Sequence, residues 1–329
     1  MPGLHLPSTR RSLLALGAAT AIVGGAAAYK KVAAQRAADH AEEESDADQD
    51  LGWGSLDVPP PQSVLTPDGA ELALWDVGSG PTVVLPHCWS CTHAVWIPVA
   101  RRLVASGHRV VLYDQRGHGA STRGVASLSI ETLGSDLAAV LEDRDAHDAV
   151  LAGHSMGGMT IMSLATYRPK VLAERARGLV LIATAAADLR SGAIGMERFA
   201  SGLIASPAVS LALRSGSGNR FVRGAFGTNP VRGHMDLTRT LFAETVPHVR
   251  SGLLTSMISV NLLEGIATIG IPTTVVVGTK DRFTALVRSE QIVAAIAGAR
   301  LVTLPGRGHM LPLEDPDAVT AAIEAVGRT

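Results

Sequence analysis

From residue 62 onward, short apolar runs alternate with helical patterns, and no other feature constrains the fold as tightly. The runs are ELALWDVG (71–78), TVVLPH (82–87), HRVVLYD (108–114), AVLAGHS (149–155), RGLVLIAT (177–184), PTTVVVG (272–278) and ARLVTLP (299–305). Most are rich in Val, Leu and Ile without polar alternation, the pattern of strands covered on both faces. Helical patterns lie between them at 94–105, 130–143, 156–167, 285–297 and 317–326. Strand, helix, strand in this rhythm predicts an α/β protein with a mainly parallel, doubly wound sheet. One interval breaks the rhythm. Between about 186 and 266 there are only helix-like pieces broken by Gly and Pro. That interval falls between two strands, so it predicts a helical cap inserted into a core of 62–185 and 267–329.

The chain's 329 residues, 47% of them hydrophobic, are enough to bury a substantial core. A formal net charge of -1 argues against a nucleic-acid partner. The near-neutral sum conceals an asymmetric start. In STRRSLLALGAATAIVGGAAAYKK (8–31) paired arginines precede an uncharged run of 17 residues, Ser12 to Ala28. Thr9 to Leu14 resembles a twin-arginine export signal, with Ala15 where that pattern often has lysine. Ala26-Ala27-Ala28 offers a cleavage site for the same route. The run also sits at the short end of the roughly 17–25 residues that span a bilayer, so an uncleaved anchor is the rival. Residues 1–28 are therefore a signal or membrane-anchor segment, and they predict an exported or membrane-anchored protein rather than a cytoplasmic one. The acidic block DHAEEESDADQD and the Pro-rich break VPPPQ make 29–61 a solvated linker.

Gly153-x-Ser155-x-Gly157 follows one apolar run and opens a helical pattern at Met156. A bare match is weak in so glycine-rich a chain, but the strand–turn–helix setting strengthens it. There a serine is held on a tight turn, and flanking glycines are needed because a Cβ would collide with neighbouring backbone. A serine nucleophile needs a base, and the base needs an orienting carboxylate. Asp281 lies just beyond the run 272–278 and His309 just beyond 299–305, the order this topology requires. His118, His234 and His248 are weaker candidates, and Glu314 and Asp315 read as a surface turn.

PHCWSCTHAVW (86–96) is open to three readings: metal ligands (His87, Cys88, Cys91, His93), a C-x-x-C dithiol, or a loop that works through its backbone. Adjacent His87 and Cys88 without a second ligand pair disfavour zinc. A thioredoxin-like dithiol belongs to a much smaller fold without a serine elbow. Neither a metal nor an organic cofactor is implied.

DQRGHGAS (114–121), GHSMGG (153–158) and GRGHMLPLEDP (306–316) resemble the strand-end motifs of the α/β-hydrolase superfamily, in its cap-bearing single-domain branch. The resemblance covers the chain from about residue 62. It implies Ser155 as nucleophile, Asp281 as acid and His309 as base. It also makes 86–96 the oxyanion loop, with the Trp89 N–H pairing with the Met156 N–H, although Cys88 stands where the family usually has glycine. The activity implied is hydrolysis of a small-molecule carboxylic ester, esterase- or lipase-like. Iminopeptidases, C–C-bond hydrolases, acyltransferases and cofactor-free haloperoxidases share the same three residues. A non-enzymatic ligand-binding member is the alternative from another class. Four of the five phenylalanines, Phe199, Phe221, Phe226 and Phe242, lie in the predicted cap. With Met196, Met235 and Met257 they are the candidate lining for an acyl chain.

The paired arginines are directly testable. Replacing Arg10 and Arg11 by Lys should abolish export if the twin-arginine route is used, as read by cell fractionation. Undiminished export in that variant would point to another route or a plain anchor.

Overall fold

The computed structural model describes residues 50–187, 189, 206–214 and 218–328. The N-terminal segment, most of the linker, Met196 and Phe199 lie outside them. Among the described residues, no helix is long and apolar enough to cross a membrane.

Eight strands form one sheet: β1 (Gln62–Leu65), β2 (Glu71–Gly78), β3 (Thr82–Pro86), β4 (Arg109–Tyr113), β5 (Ala149–His154), β6 (Ala176–Ile182), β7 (Thr273–Gly278) and β8 (Arg300–Leu304). Their order is β1-β2-β4-β3-β5-β6-β7-β8. The β1–β2 and β2–β4 pairs are antiparallel, and every later pair is parallel. The lack of polar alternation has a direct cause. Leu151 of β5 joins a core with α2 (Ile130–Asp143) and α3 (Met156–Tyr167). Its neighbours Val150 and Ala152 join a second core, with α1 (Ile97–Ala105) on the other face. With both faces dry, a polar residue at either phase would be buried without a partner.

Two strands depart from expectation. β1 is short and buries only Val64, so it carried no readable pattern. Two-sided burial, the pattern of most of the runs, does not extend to 299–305, where Arg300, Leu301, Val302 and Thr303 of β8 are exposed. β8 is the sheet's edge, with β7 as its one neighbouring strand.

Between β6 and β7 the described residues form α5 (Pro207–Leu213), α6 (Asn219–Val222), α7 (Arg232–Glu244), α8 (Pro247–Ser259) and α9 (Leu263–Ile266). They belong to the interval predicted as a cap. After β7 come α10 (Leu286–Ala295), α11 (Leu311–Glu314) and α12 (Pro316–Gly327). One further helix, α4 (Pro169–Arg175), follows α3 directly.

Arg116, just past β4, is 1% exposed and links distant elements. Its guanidinium donates to both Asp136 oxygens in α2 and to both Asp68 oxygens in the β1–β2 turn. Burial pushes the Asp136 carboxyl up, and Arg116 opposes that shift. Arg116→Met would leave Asp136 buried without its cation, a loss of about 3–5 kcal/mol. Urea unfolding should show a lowered midpoint with unchanged slope. Arg116→Met with Asp136→Leu should recover most of that loss.

Candidate active site

The turn after β5 holds Ser155 at φ 54, ψ -114, a left-handed conformation costly for a residue with a Cβ. Neighbouring backbone forces it. A Cβ on Gly157 would lie 2.0 Å from the Pro86 carbonyl oxygen, and one on Gly153 would lie 2.4 Å from the Gly157 oxygen. The Ser155 N–H donates to the Ile182 carbonyl (2.9 Å), and the Thr184 hydroxyl donates to the Ser155 carbonyl (2.7 Å). The elbow is thereby tied to β6.

The structure brings three predicted residues together. Ser155 Oγ lies 3.0 Å from His309 Nε2, and His309 Nδ1 lies 2.8 Å from Asp281 Oδ2. Ser155, Asp281 and His309 are 9%, 7% and 8% exposed, so the constellation is recessed but reachable. Burial alone would push the Asp281 carboxyl up. The facing His309, with donated hydrogen bonds, outweighs burial and holds it at about 2. Those bonds come from the Phe283 N–H (2.8 Å), the Thr284 N–H (2.9 Å) and the Thr284 hydroxyl (2.8 Å). With its other nitrogen on a carboxylate acceptor, His309 carries its proton on Nδ1 and offers Nε2 to the serine.

Glu314 is not a surface turn, contrary to expectation. Its carboxylate accepts the N–H groups of Gly227 (2.7 Å), Gly308 (3.0 Å) and Met310 (3.1 Å). Burial raises its pKa against those donors. It clamps the His309 loop to the segment after α6, whose Ala225 carbonyl accepts the His309 N–H (2.7 Å). Asp315, also only partly exposed, accepts from Arg307 (2.9 Å). Asp114, the other carboxylate near a strand end, pairs with His93 Nδ1 (2.9 Å) and not with His309.

The stretch 86–96 is organised by its neighbours. Cys91 N–H closes a turn on the Cys88 carbonyl (3.3 Å), with Ser90 left-handed at φ 55. His118 Nε2 accepts the Ser90 N–H (3.1 Å), while its Nδ1 lies 3.1 Å from the Arg116 carbonyl. His87 Nε2 accepts the Gln115 N–H (2.8 Å), and its Nδ1 lies 2.7 Å from the Cys88 carbonyl. Cys88 and Cys91 are buried, unbridged thiols, and burial raises the Cys88 pKa. Among the described residues, no three His, Cys, Asp or Glu side chains converge in a metal-holding group. Neither the Trp89 N–H nor the Met156 N–H donates to an acceptor among the described residues. Met156 opens α3, so its N–H points along the positive end of a helix.

The predicted pocket phenylalanines separate. Phe242 sets its ring edge-on against Trp89, with centroids 5.2 Å apart. Phe221 packs on Phe242 at 5.3 Å and is 53% exposed. Phe226 is 3% exposed and packed in the core with Leu241 and Met310, so it fills the fold instead. Of the weaker histidines, His234 is buried in α7 and His248 is exposed in α8. Two neighbours of the site escaped the sequence reading. Phe283, 46% exposed, lies 5.3 Å from the His309 ring, and Thr284 braces Asp281. The Asp-x-x-Thr spacing at 281–284 was the available signal, since such side chains fold onto nearby backbone donors.

The family model described as the alpha/beta hydrolase family matches residues 78–322. A curated relative, a non-heme chloroperoxidase of Kitasatospora aureofaciens, is 38% identical over 93 residues, 28% of this chain and 34% of that protein. The chain thus aligns with only 34–38% of the length of the first curated relatives it matches. A solved hydrolase from Pseudomonas aeruginosa is 27% identical with a TM-score of 0.67, covering 81% of this chain and 97% of that one. The bromoperoxidase of Bacillus anthracis superposes with a TM-score of 0.73 at 20% identity, covering 82% and 100%, a likeness of fold alone.

His87, His118 and His154 are buried and neutral. Burial lowers their pKa values to about 3, 4 and 3 from 6.5. Unfolding exposes them, so the unfolded chain binds more protons below pH 6.5. Stability should be full above that value and fall as pH drops from 6.5 toward 4. Each histidine contributes a slope of about 1.4 kcal/mol per pH unit in that window. Urea unfolding across it should show a shallower pH slope for His118→Gln, by about one histidine's worth.

Proposed function

The chain belongs to the alpha/beta hydrolase family, and from that premise we propose that it is a serine hydrolase acting on small-molecule carboxylic esters. One observation carries the reading: a serine hydroxyl 3.0 Å from an imidazole whose other nitrogen is 2.8 Å from a buried carboxylate. Ser155 Oγ attacks the acyl carbon as its proton passes to His309 Nε2. Asp281, held at about 2, stays ionised and balances the imidazolium that forms. The Trp89 and Met156 N–H groups receive the charge that develops on the carbonyl oxygen. The imidazolium returns its proton to the departing alcohol, leaving an acyl-serine. Water, deprotonated by the same imidazole, then releases the acid and restores Ser155. Phe242, Phe221 and Phe283 offer apolar surface to an acyl group of short to medium length.

A second reading is a cofactor-free haloperoxidase, favoured by the likeness to the non-heme chloroperoxidase. A halogenation assay with peroxide and bromide separates it from ester hydrolysis. The N-terminal segment fits the same enzyme exported or anchored at a membrane.

The test is chemical labelling followed by kinetics. A fluorophosphonate should modify Ser155 alone, and Ser155→Ala should remove both labelling and turnover. Asp281→Asn should lower kcat by about three to four orders of magnitude by favouring the wrong tautomer. Wild-type turnover in Ser155→Ala would overturn the mechanism. A panel of esters and proline amides should favour esters; faster turnover of proline amides would point to an iminopeptidase.

A further inference from the structure

The aromatic contacts of the site continue outward. Trp89 meets Phe242 at 5.2 Å, and Phe242 meets Phe221 at 5.3 Å. This row runs from the loop beside Ser155 to a ring that is 53% exposed. Among its described residues, the same interval between β6 and β7 exposes two further large apolar side chains. Leu211 in α5 is 71% exposed, and Val246, just past α7, is 46% exposed. Leu213 of α5 packs with Phe242, which places α5 beside the row. Where large apolar side chains gather on one exposed face, that surface is covered in use.

Charge narrows what covers it. The interval 186–266 carries eight arginines and no lysine against five acids, leaving 21 basic and 25 acidic residues elsewhere. Arg214, at the end of α5, and Arg220, which precedes Phe221 in α6, are exposed as well. Arginine keeps its charge at all working pH values and pairs bidentately with phosphate. Apolar side chains interleaved with arginines match the boundary between headgroups and acyl chains of an anionic bilayer.

We infer that this outer face of α5, α6 and the end of α7 docks on an anionic lipid surface, and that the enzyme draws its acyl ester from that surface along the Phe221–Phe242–Trp89 row. The inference rests on the serine-hydrolase reading for its chemistry but not for its docking. Leu211 and Val246 would sit among acyl chains, with Arg214 and Arg220 at the phosphates. The acyl chain of the ester would leave the bilayer past Phe221 and reach Ser155 without crossing water.

Two measurements on the full-length protein test it. In the first, Leu211→Cys carries an environment-sensitive bimane, since Cys88 and Cys91 are buried. Emission should shift to the blue on phosphatidylglycerol vesicles, much less on phosphatidylcholine, and the shift should shrink at high salt. No shift on phosphatidylglycerol overturns the docking whatever the chemistry, even if the N-terminal segment holds the protein to the vesicle. A shift of equal size on both lipids overturns the role of the arginines. In the second, hydrolysis of a soluble 4-nitrophenyl butyrate is compared with that of a medium-chain 4-nitrophenyl decanoate dissolved in phosphatidylglycerol vesicles. Leu211→Ser with Val246→Ser, and separately Arg214→Gln with Arg220→Gln, should lower the vesicle rate by about fivefold or more while the soluble rate stays within about twofold. Equal vesicle rates in wild type and both variants would refute delivery from the bilayer. Failure to hydrolyse either ester would instead refute the hydrolase reading, leaving the bimane result to decide the docking.

Discussion

The closest backbone approach in the site lies between Gly157 and the Pro86 carbonyl, where a Cβ would stand 2.0 Å from oxygen. Only glycine allows the N-terminus of α3 to seat directly on the end of β3. That seating turns the chain sharply enough to put Ser155 at φ 54. It also sets the first turn of α3 against the backbone of Pro86 and His87. The strain at Ser155 costs on the order of 1–3 kcal/mol. It persists because β5 and α3 are anchored by cores on both faces of the sheet. The strained serine is therefore a consequence of how closely two elements pack, and the hydroxyl adds nothing to the strain.

Asp281 and His309 lie on loops after β7 and β8. Neighbouring groups hold both side chains in place. Thr284 gives Asp281 a backbone and a hydroxyl donor, and Glu314 gathers three N–H groups around the His309 loop. The Ala225 carbonyl accepts from His309 N–H, and a Cβ on Gly308 would meet the Gly227 nitrogen at 2.5 Å. Residues 225–228 are thus locked to the base loop. The interval expected to act as a cap contributes part of the rigid frame, which a lid alone would not.

What was legible from sequence follows from the range of each interaction. Strand and helix bounds from β2 through α3 could be read because two-sided burial writes itself as unbroken apolar runs. That Ser155, Asp281 and His309 would meet could be read because each follows a recognisable strand. β1 could not, since a four-residue edge strand carries too little pattern, and the exposure of β8 could not, since edge position is decided by strand order and not by the run itself. Glu314 looked like one more acid in a polar turn. Its role depends on Gly227, 87 residues away in sequence, a contact that no local pattern encodes. Phe226 and Phe242 were indistinguishable as cap aromatics, and only tertiary packing sends one into the core and the other to Trp89.

The same distinction between local signal and distant partner explains the stretch 86–96. Its His and Cys side chains look like a reactive cluster because their types suggest ligands, yet each is occupied. His87 bridges the Cys88 carbonyl and the Gln115 N–H, His93 is taken by Asp114, and the thiols face an apolar core around Trp96. His118, from the loop after β4, accepts the Ser90 N–H and holds the turn open. A neutral imidazole suits this task because it accepts at one nitrogen and donates at the other. Burial keeps His87 and His118 neutral by lowering their pKa values to about 3 and 4. Protonation would convert each acceptor into a second donor facing an N–H, and the turn would lose its support. The side chains that looked chemical thereby act as fixed hydrogen-bonding spacers for the turn at 88–91.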